Sequence, residues 1–145
     1  MKPVLKITLL GLTLLLPSGP LAQDETGQTH PPVEESYRAF VAPDGVQHVS
    51  VVGGNYFFRP NHIIVHANAP VELGVTLERG MIPHSLVIDA PEAGMQVDEK
   101  LSTELKKIHF TPTAAGKYAF YCKHKLLFLK SHRDKGMEGT LEVIE

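Results

Sequence analysis

The sequence predicts an all-β domain, a Greek-key antiparallel β-sandwich of seven to eight short strands. Three observations carry this. Val71, Leu73, Val75 and Leu77 alternate with residues of the opposite face, the period of two of a half-buried strand. Breaks built on Gly and Pro recur at a spacing of roughly ten residues, as in small sandwiches. No segment carries a helical period of about 3.6.

The strands follow in order from residue 46. Val49 and Val51 alternate until Gly53-Gly54 interrupts, and Tyr56-Phe57-Phe58 resumes before Pro60-Asn61. Ile63-Ile64-Val65 is a short apolar run ended by Asn68-Ala69-Pro70. The clean alternation from Val71 follows, then a turn at Arg79-Gly80, then Leu86 and Ile88 after His84. Ala90 to Gly94 reads as a loop, and residues 95–104 as a polar excursion with a helical turn. Ile108 and Phe110 mark another strand, and Thr111 to Gly116 a turn. Tyr118, Phe120 and Cys122 share one face of the next strand, and Leu141 and Val143 close the chain in the last.

The N-terminus differs. Lys2 and Lys6 precede an apolar run from Ile7 to Leu16, a Pro17-Ser18-Gly19-Pro20 break and Leu21-Ala22. This is the pattern of a secretory signal peptide, expected over residues 1–22. The run is shorter than the about 20 residues of a membrane span, so stable membrane insertion after cleavage is not expected. Residues 23–45 read as a flexible linker, with Tyr37, Phe40 and Val41 placed to pin its end; the domain is expected over 46–145. Removing residues 1–22 leaves 123 residues. It takes away two lysines and no acid, moving the formal net charge from −2 to −4. That mild acidity argues against a nucleic-acid partner. A monomer in the periplasm is the expectation.

Cys122 is the single cysteine. Exported proteins usually carry cysteines in pairs, so a lone one is buried and inert, free for intermolecular pairing, or occupied by a metal. Its surroundings favour the metal. His132 and Met137 lie in the same loop, between the last two strands, and His84 stands 38 residues earlier at a strand boundary. Loops at one end of a sandwich converge, so four donors can surround one ion. Thiolate, two imidazoles and a weak axial thioether suit copper held as both Cu(I) and Cu(II). Zinc does no redox chemistry and draws little from a thioether.

The ligand pattern resembles that of the cupredoxins, small blue copper proteins such as plastocyanin, pseudoazurin and the copper domain of nitrite reductase. The resemblance covers about residues 46–145. It rests on Tyr121-Cys122, nine intervening residues, His132, four residues, Met137, then Glu138-Gly139 and the last strand, with Pro83-His84-Ser85 in a separate loop. It implies a type 1 copper site on His84, Cys122, His132 and Met137. Ser85 stands where the family often has Asn, and the gap between Cys122 and His132 is longer than in plastocyanin-like members. The two-copper centre of oxidase subunits needs a second cysteine, which is absent from the sequence. The multicopper-oxidase pattern needs a His on each side of Cys122; its neighbours are Tyr121 and Lys123.

Simpler readings stand beside these. His124 is an alternative ligand; His62, His66 and His109 read as surface or edge residues of strands. Met81 and Met95 are either extra thioethers or packing residues. Lys123, Lys125, Lys130, Arg133 and Lys135 form either a docking patch for an acidic redox partner protein or an ordinary solvated loop. Leu126 to Leu129 is either an apolar contact beside His132 or core. The expected function is a one-electron carrier, with a Cu(I) chaperone or buffer and a metal-free interaction module as alternatives. No residues for an open coordination position or a second centre stand out, so an enzyme is not expected.

Overall fold

The structure, a computed structural model, describes residues 34–145. The signal-peptide reading (1–22) and the start of the linker lie outside these residues. Ten strands are present among them: β1 Ser36–Arg38, β2 Gln47–Gly54, β3 Phe57–Arg59, β4 His62–His66, β5 Val71–Leu77, β6 His84–Ala90, β7 Met95–Leu101, β8 Lys106–Phe110, β9 Gly116–Tyr121 and β10 Glu138–Ile144. Two short 3₁₀ turns, Pro91–Ala93 and Arg133–Lys135, complete the elements. No helix among the described residues is long and apolar enough to cross a membrane.

The strands form two sheets, one ordered β1-β4-β10-β9-β6-β7 and the other β3-β2-β5-β8. The all-β sandwich is therefore as expected, with ten strands rather than seven or eight. β1 and β3, three residues each, are too short to display an alternation. The pairing is also mixed: β1 with β4, β4 with β10 and β2 with β5 run parallel.

Two segments depart from the sequence reading. The linker reading of 23–45 ends too late, because Ser36–Arg38 pairs with His62–Ile64 and Ala39 is buried, its N–H donating to Ile64 O at 2.8 Å. Tyr37, Phe40 and Val41 stay exposed, so backbone pairing and a small residue do the pinning. Residues 95–101 are strand β7 rather than a polar excursion. Met95, Val97 and Leu101 are buried between exposed Gln96, Asp98 and Lys100. A half-buried strand with a charged outer face reads as polar when the average outweighs the alternation.

The core lies between the sheets. Val49 and Val51 of β2 and Val71, Leu73 and Val75 of β5 face Ile63, Val65, Leu86, Ile88, Phe120, Leu141 and Val143 of the other sheet. Phe58 and Phe120 meet across the sandwich with ring centroids 5.5 Å apart. Fully buried Gln47 is satisfied on both ends of its amide. It donates to His66 O and Ala69 O and accepts from His66 N–H at 2.7 Å, tying β2 to the β4–β5 turn. Gly139 passes so close to the Phe120 ring and the Asn61 carbonyl that no side chain fits. This close approach sets β10 against the core directly after the loop that carries Cys122, His132 and Met137.

Candidate metal centre

The register of three strands builds the site. β9 and β10 are antiparallel, with Tyr121 opposite Glu138. The next pair outward is Cys122 and Met137, joined by Cys122 N–H donating to Met137 O at 3.0 Å. β6 pairs with β9 on the other side, Val87 opposite Tyr121. Continuing that register brings Ser85 alongside Lys123, whose N–H donates to Ser85 Oγ at 3.2 Å. His84, the first residue of β6, is thereby carried to Cys122.

His132 arrives from the loop between β9 and β10. Its N–H donates to His124 O at 2.8 Å, and its own carbonyl accepts from Met137 N–H at 3.0 Å. The 3₁₀ turn after it ends on Gly136 at φ +99°, a left-handed conformation that glycine adopts without a Cβ penalty. That turn reverses the chain in time to place Met137 before β10.

The three nitrogen and sulfur donors converge. His84 Nδ1 and His132 Nδ1 are 3.2 Å apart, and Cys122 Sγ lies 3.5 Å from His132 Nδ1 and 3.9 Å from His84 Nδ1. A point equidistant from these three atoms lies about 2.1 Å from each, within the about 2.0–2.3 Å of metal–nitrogen and metal–sulfur bonds. All three residues are buried, with His84 5%, His132 4% and Cys122 0% exposed. The donor set and its spacing therefore fit one copper ion in a trigonal His₂Cys arrangement. Among the described residues, no other group of three His, Cys, Asp or Glu brings its donor atoms this close.

Hydrogen bonds orient the donors. Ser85 N–H donates to Cys122 Sγ at 3.4 Å, and Ser85 Oγ lies 3.8 Å from the same sulfur. The serine thus ties the two ligand loops together in the place expected of the family's Asn. Burial, followed by the charges of His132 and His124, lowers the pKa of His84 to about 4. Burial, then His124 and Lys135, lowers that of His132. Both rings are neutral at pH 7 and present lone pairs without losing a proton.

Met137 is fully buried, and its backbone is bonded to both Cys122 and His132. His124 stays outside the donor cluster, its ring centroid 6.0 Å from that of His132. His62, His66 and His109 sit on β4 and β8 with carboxylate or carbonyl partners. Met95 is buried in the core as a packing residue, whereas Met81 is wholly exposed. It lines a cleft of about 230 Å³ beside His132, with Tyr56, Pro83, Leu126 and Leu129.

Tyr56 escaped the sequence reading, which counted it as a strand residue. It stands at φ +62° between β2 and β3, with its ring edge-on to His132 at 5.0 Å and to His84 at 6.4 Å. Lys135 covers it, with Nζ 4.2 Å from the ring centroid and donating to the Tyr56 hydroxyl at 3.1 Å. The signal available was Asn55 after the paired Gly53-Gly54, the residue that opens the two-residue turn holding Tyr56 between β2 and β3.

No protein-family model and no curated protein matches the chain by sequence. Solved structures do match by fold. The metal-binding domain of the Streptococcus pneumoniae Cu(I)-exporting P-type ATPase CopA, solved with Cu(I), has a TM-score of 0.59 at 20% identity, covering 77% of this chain and 97% of that one. Reduced auracyanin from Roseiflexus castenholzii has a TM-score of 0.54 at 18% identity, covering 68% and 97%. Auracyanin A from Chloroflexus aurantiacus, a "blue" copper protein, has a TM-score of 0.51 at 17% identity, covering 69% and 100%. The fold is cupredoxin-like.

Proposed function

We propose that His84, Cys122 and His132 would hold one copper ion, with Met137 as a weak fourth donor, and that the chain carries single electrons outside the cytoplasm. The observation that carries the reading is the His₂Cys triangle, whose edges of 3.2, 3.5 and 3.9 Å suit one ion. The fold shared with auracyanins supports it, and so does the signal-peptide pattern at the N-terminus.

Bound copper would supply a one-electron couple between Cu(I) and Cu(II). The chain's part is to hold the donors still. Cys122 offers a buried sulfur that accepts from Ser85 N–H, and both histidines offer neutral Nδ1 atoms. Strand register fixes Cys122 and His84, and the His124–His132–Met137 backbone bonds fix the loop. A framework fixed before the electron arrives keeps rearrangement small.

A copper-delivery role is the second reading. It is favoured by Met81, wholly exposed at the cleft beside His132, and by the fold shared with the CopA domain. Loading with Cu(II) separates the two. An intense visible thiolate-to-copper band, lost in Cys122→Ser, supports the carrier. Colourless Cu(I) binding with rapid transfer to an acceptor supports delivery, and absence of tight copper binding overturns both.

A further inference from the structure

The tip of the loop between β9 and β10 serves neither the core nor the donor cluster. Leu126, Leu127, Phe128 and Leu129 are 62%, 78%, 100% and 54% exposed. Leu129 N–H donates to Leu126 O at 2.9 Å, closing a tight turn in which Leu127 takes φ +47°. Turns of this kind usually carry Gly, Asn or Asp. Four consecutive large apolar side chains facing water, one in a strained backbone region, cost the domain stability that its own contacts do not return. Exposed Met81 and Ile82 lie across the cleft that Leu126 and Leu129 line, so the apolar surface extends beyond the turn.

The charge around this tip is net positive. Residues 123–138 hold five cations and two acids. Lys123 is paired with Asp98, Arg133 with Glu138, and Lys135 lies over Tyr56. Lys125 and Lys130, which bracket the apolar turn, make no ion pair among the described residues. Asp134, held by Ser131, is the acid that feels both.

We propose that this tip docks reversibly on an anionic lipid bilayer, with Leu126 to Leu129 entering the acyl boundary and Lys125 and Lys130 meeting the phosphates. An apolar wedge between lysines matches the layering of that interface: cations at headgroup level, hydrocarbon below. A stable protein interface needs about 800 Å² of shape-matched surface on each side, whereas a bilayer accepts an apolar tip flanked by lysines with no shape match. His132 follows the tip by three residues, so docking turns the His₂Cys end of the sandwich toward the membrane. The proposal goes beyond copper binding and holds without it.

Co-sedimentation of the metal-free full chain with vesicles tests it. Binding to phosphatidylglycerol-containing vesicles should exceed binding to pure phosphatidylcholine by about twenty-fivefold, from two lysines worth about fivefold each at an anionic surface. It should weaken as salt rises. Leu127→Asp with Phe128→Asp should lower the binding well below wild type, and Lys125→Glu with Lys130→Glu should reduce the preference for anionic lipid. All variants keep residues 1–22, so differences among them report the tip alone, and far-UV circular dichroism verifies folding. Unchanged sedimentation of the Leu127→Asp, Phe128→Asp chain overturns the proposal. So does absence of wild-type binding to anionic vesicles at low salt, a result that would leave the tip to a protein partner.

Discussion

Ser85 and Cys122 are joined across the two ligand loops by the serine N–H, which donates to Sγ at 3.4 Å, and by the serine Oγ, 3.8 Å from the same sulfur. The hydroxyl oxygen also accepts from Lys123 N–H. One small side chain therefore holds both strands and faces the thiol. Ser85→Ala should cost about 1 kcal/mol in urea unfolding of the metal-free protein. It should also weaken copper affinity by about tenfold in competition with a chelator, the lower end of what lost orienting partners cost. An affinity equal to wild type would mean that the backbone amide alone orients the sulfur.

Gly139 shows how tightly the core approaches the site. A Cβ there would stand 2.5 Å from Asn61 O and collide with the Phe120 ring. Neither the Asn61 backbone nor a ring packed against Phe58 can yield cheaply. Gly139→Ala should destabilise the domain by about 2–3 kcal/mol, the upper range for overpacking. Gly45→Ala makes a useful contrast. It meets no atom within 4 Å and suffers only its φ of +83°, so a loss of about 1 kcal/mol is expected. Equal urea midpoints for the two variants would contradict the steric account.

How much of this was legible beforehand follows from the kind of signal each residue carries. His84, Cys122, His132 and Met137 stood out because thiolate, imidazole and thioether donors fall into one pattern in a chain with a single cysteine. The structure brings the first three within bonding distance of a common point. β5 was legible because its outward residues break the apolar pattern cleanly. β7 was not, since Gln96, Asp98, Glu99 and Lys100 mask Met95, Val97 and Leu101. β1 was hidden for another reason: its residues are all exposed and it exists through backbone pairing with β4, which leaves no side-chain pattern. Tyr56 depends on a positive φ that no tyrosine advertises.

The neutral histidines of the site predict a pH dependence of the metal-free protein. The pKa of His84 falls from 6.5 to about 4 in the fold, chiefly by burial, and that of His132 falls in the same direction. The unfolded chain therefore binds more protons in this window. The stability tied to the neutral rings is complete above pH 6.5 and is lost as pH falls toward about 4. Exposed His48, raised by its bond to Asp44, acts in the opposite sense, though solvent screens that pair. In a His48→Gln background, the urea midpoint should drop between pH 7 and pH 5, above the range where carboxylates titrate. Adding His84→Asn should flatten that slope in part. A midpoint constant over this interval would refute the assignment.

Met137 separates packing from ligation. Its side chain is fully buried in the core cluster, and its backbone bonds to Cys122 and His132 do not depend on side-chain identity. Met137→Leu conserves volume and should cost less than about 1.5 kcal/mol in the metal-free protein. The three remaining donors still form a closed triangle, so copper should stay bound and the thiolate band should persist. The thioether donates electron density that favours Cu(II) over Cu(I), so its removal should raise the reduction potential, read by redox titration of the visible band. If the variant keeps the wild-type potential, Met137 is a packing residue and the site is three-coordinate. If the metal-free stability falls while the potential rises, both roles reside in one side chain, and Met137→Gln, which restores an axial donor without the apolar fit, should lower the potential again while leaving the stability loss in place.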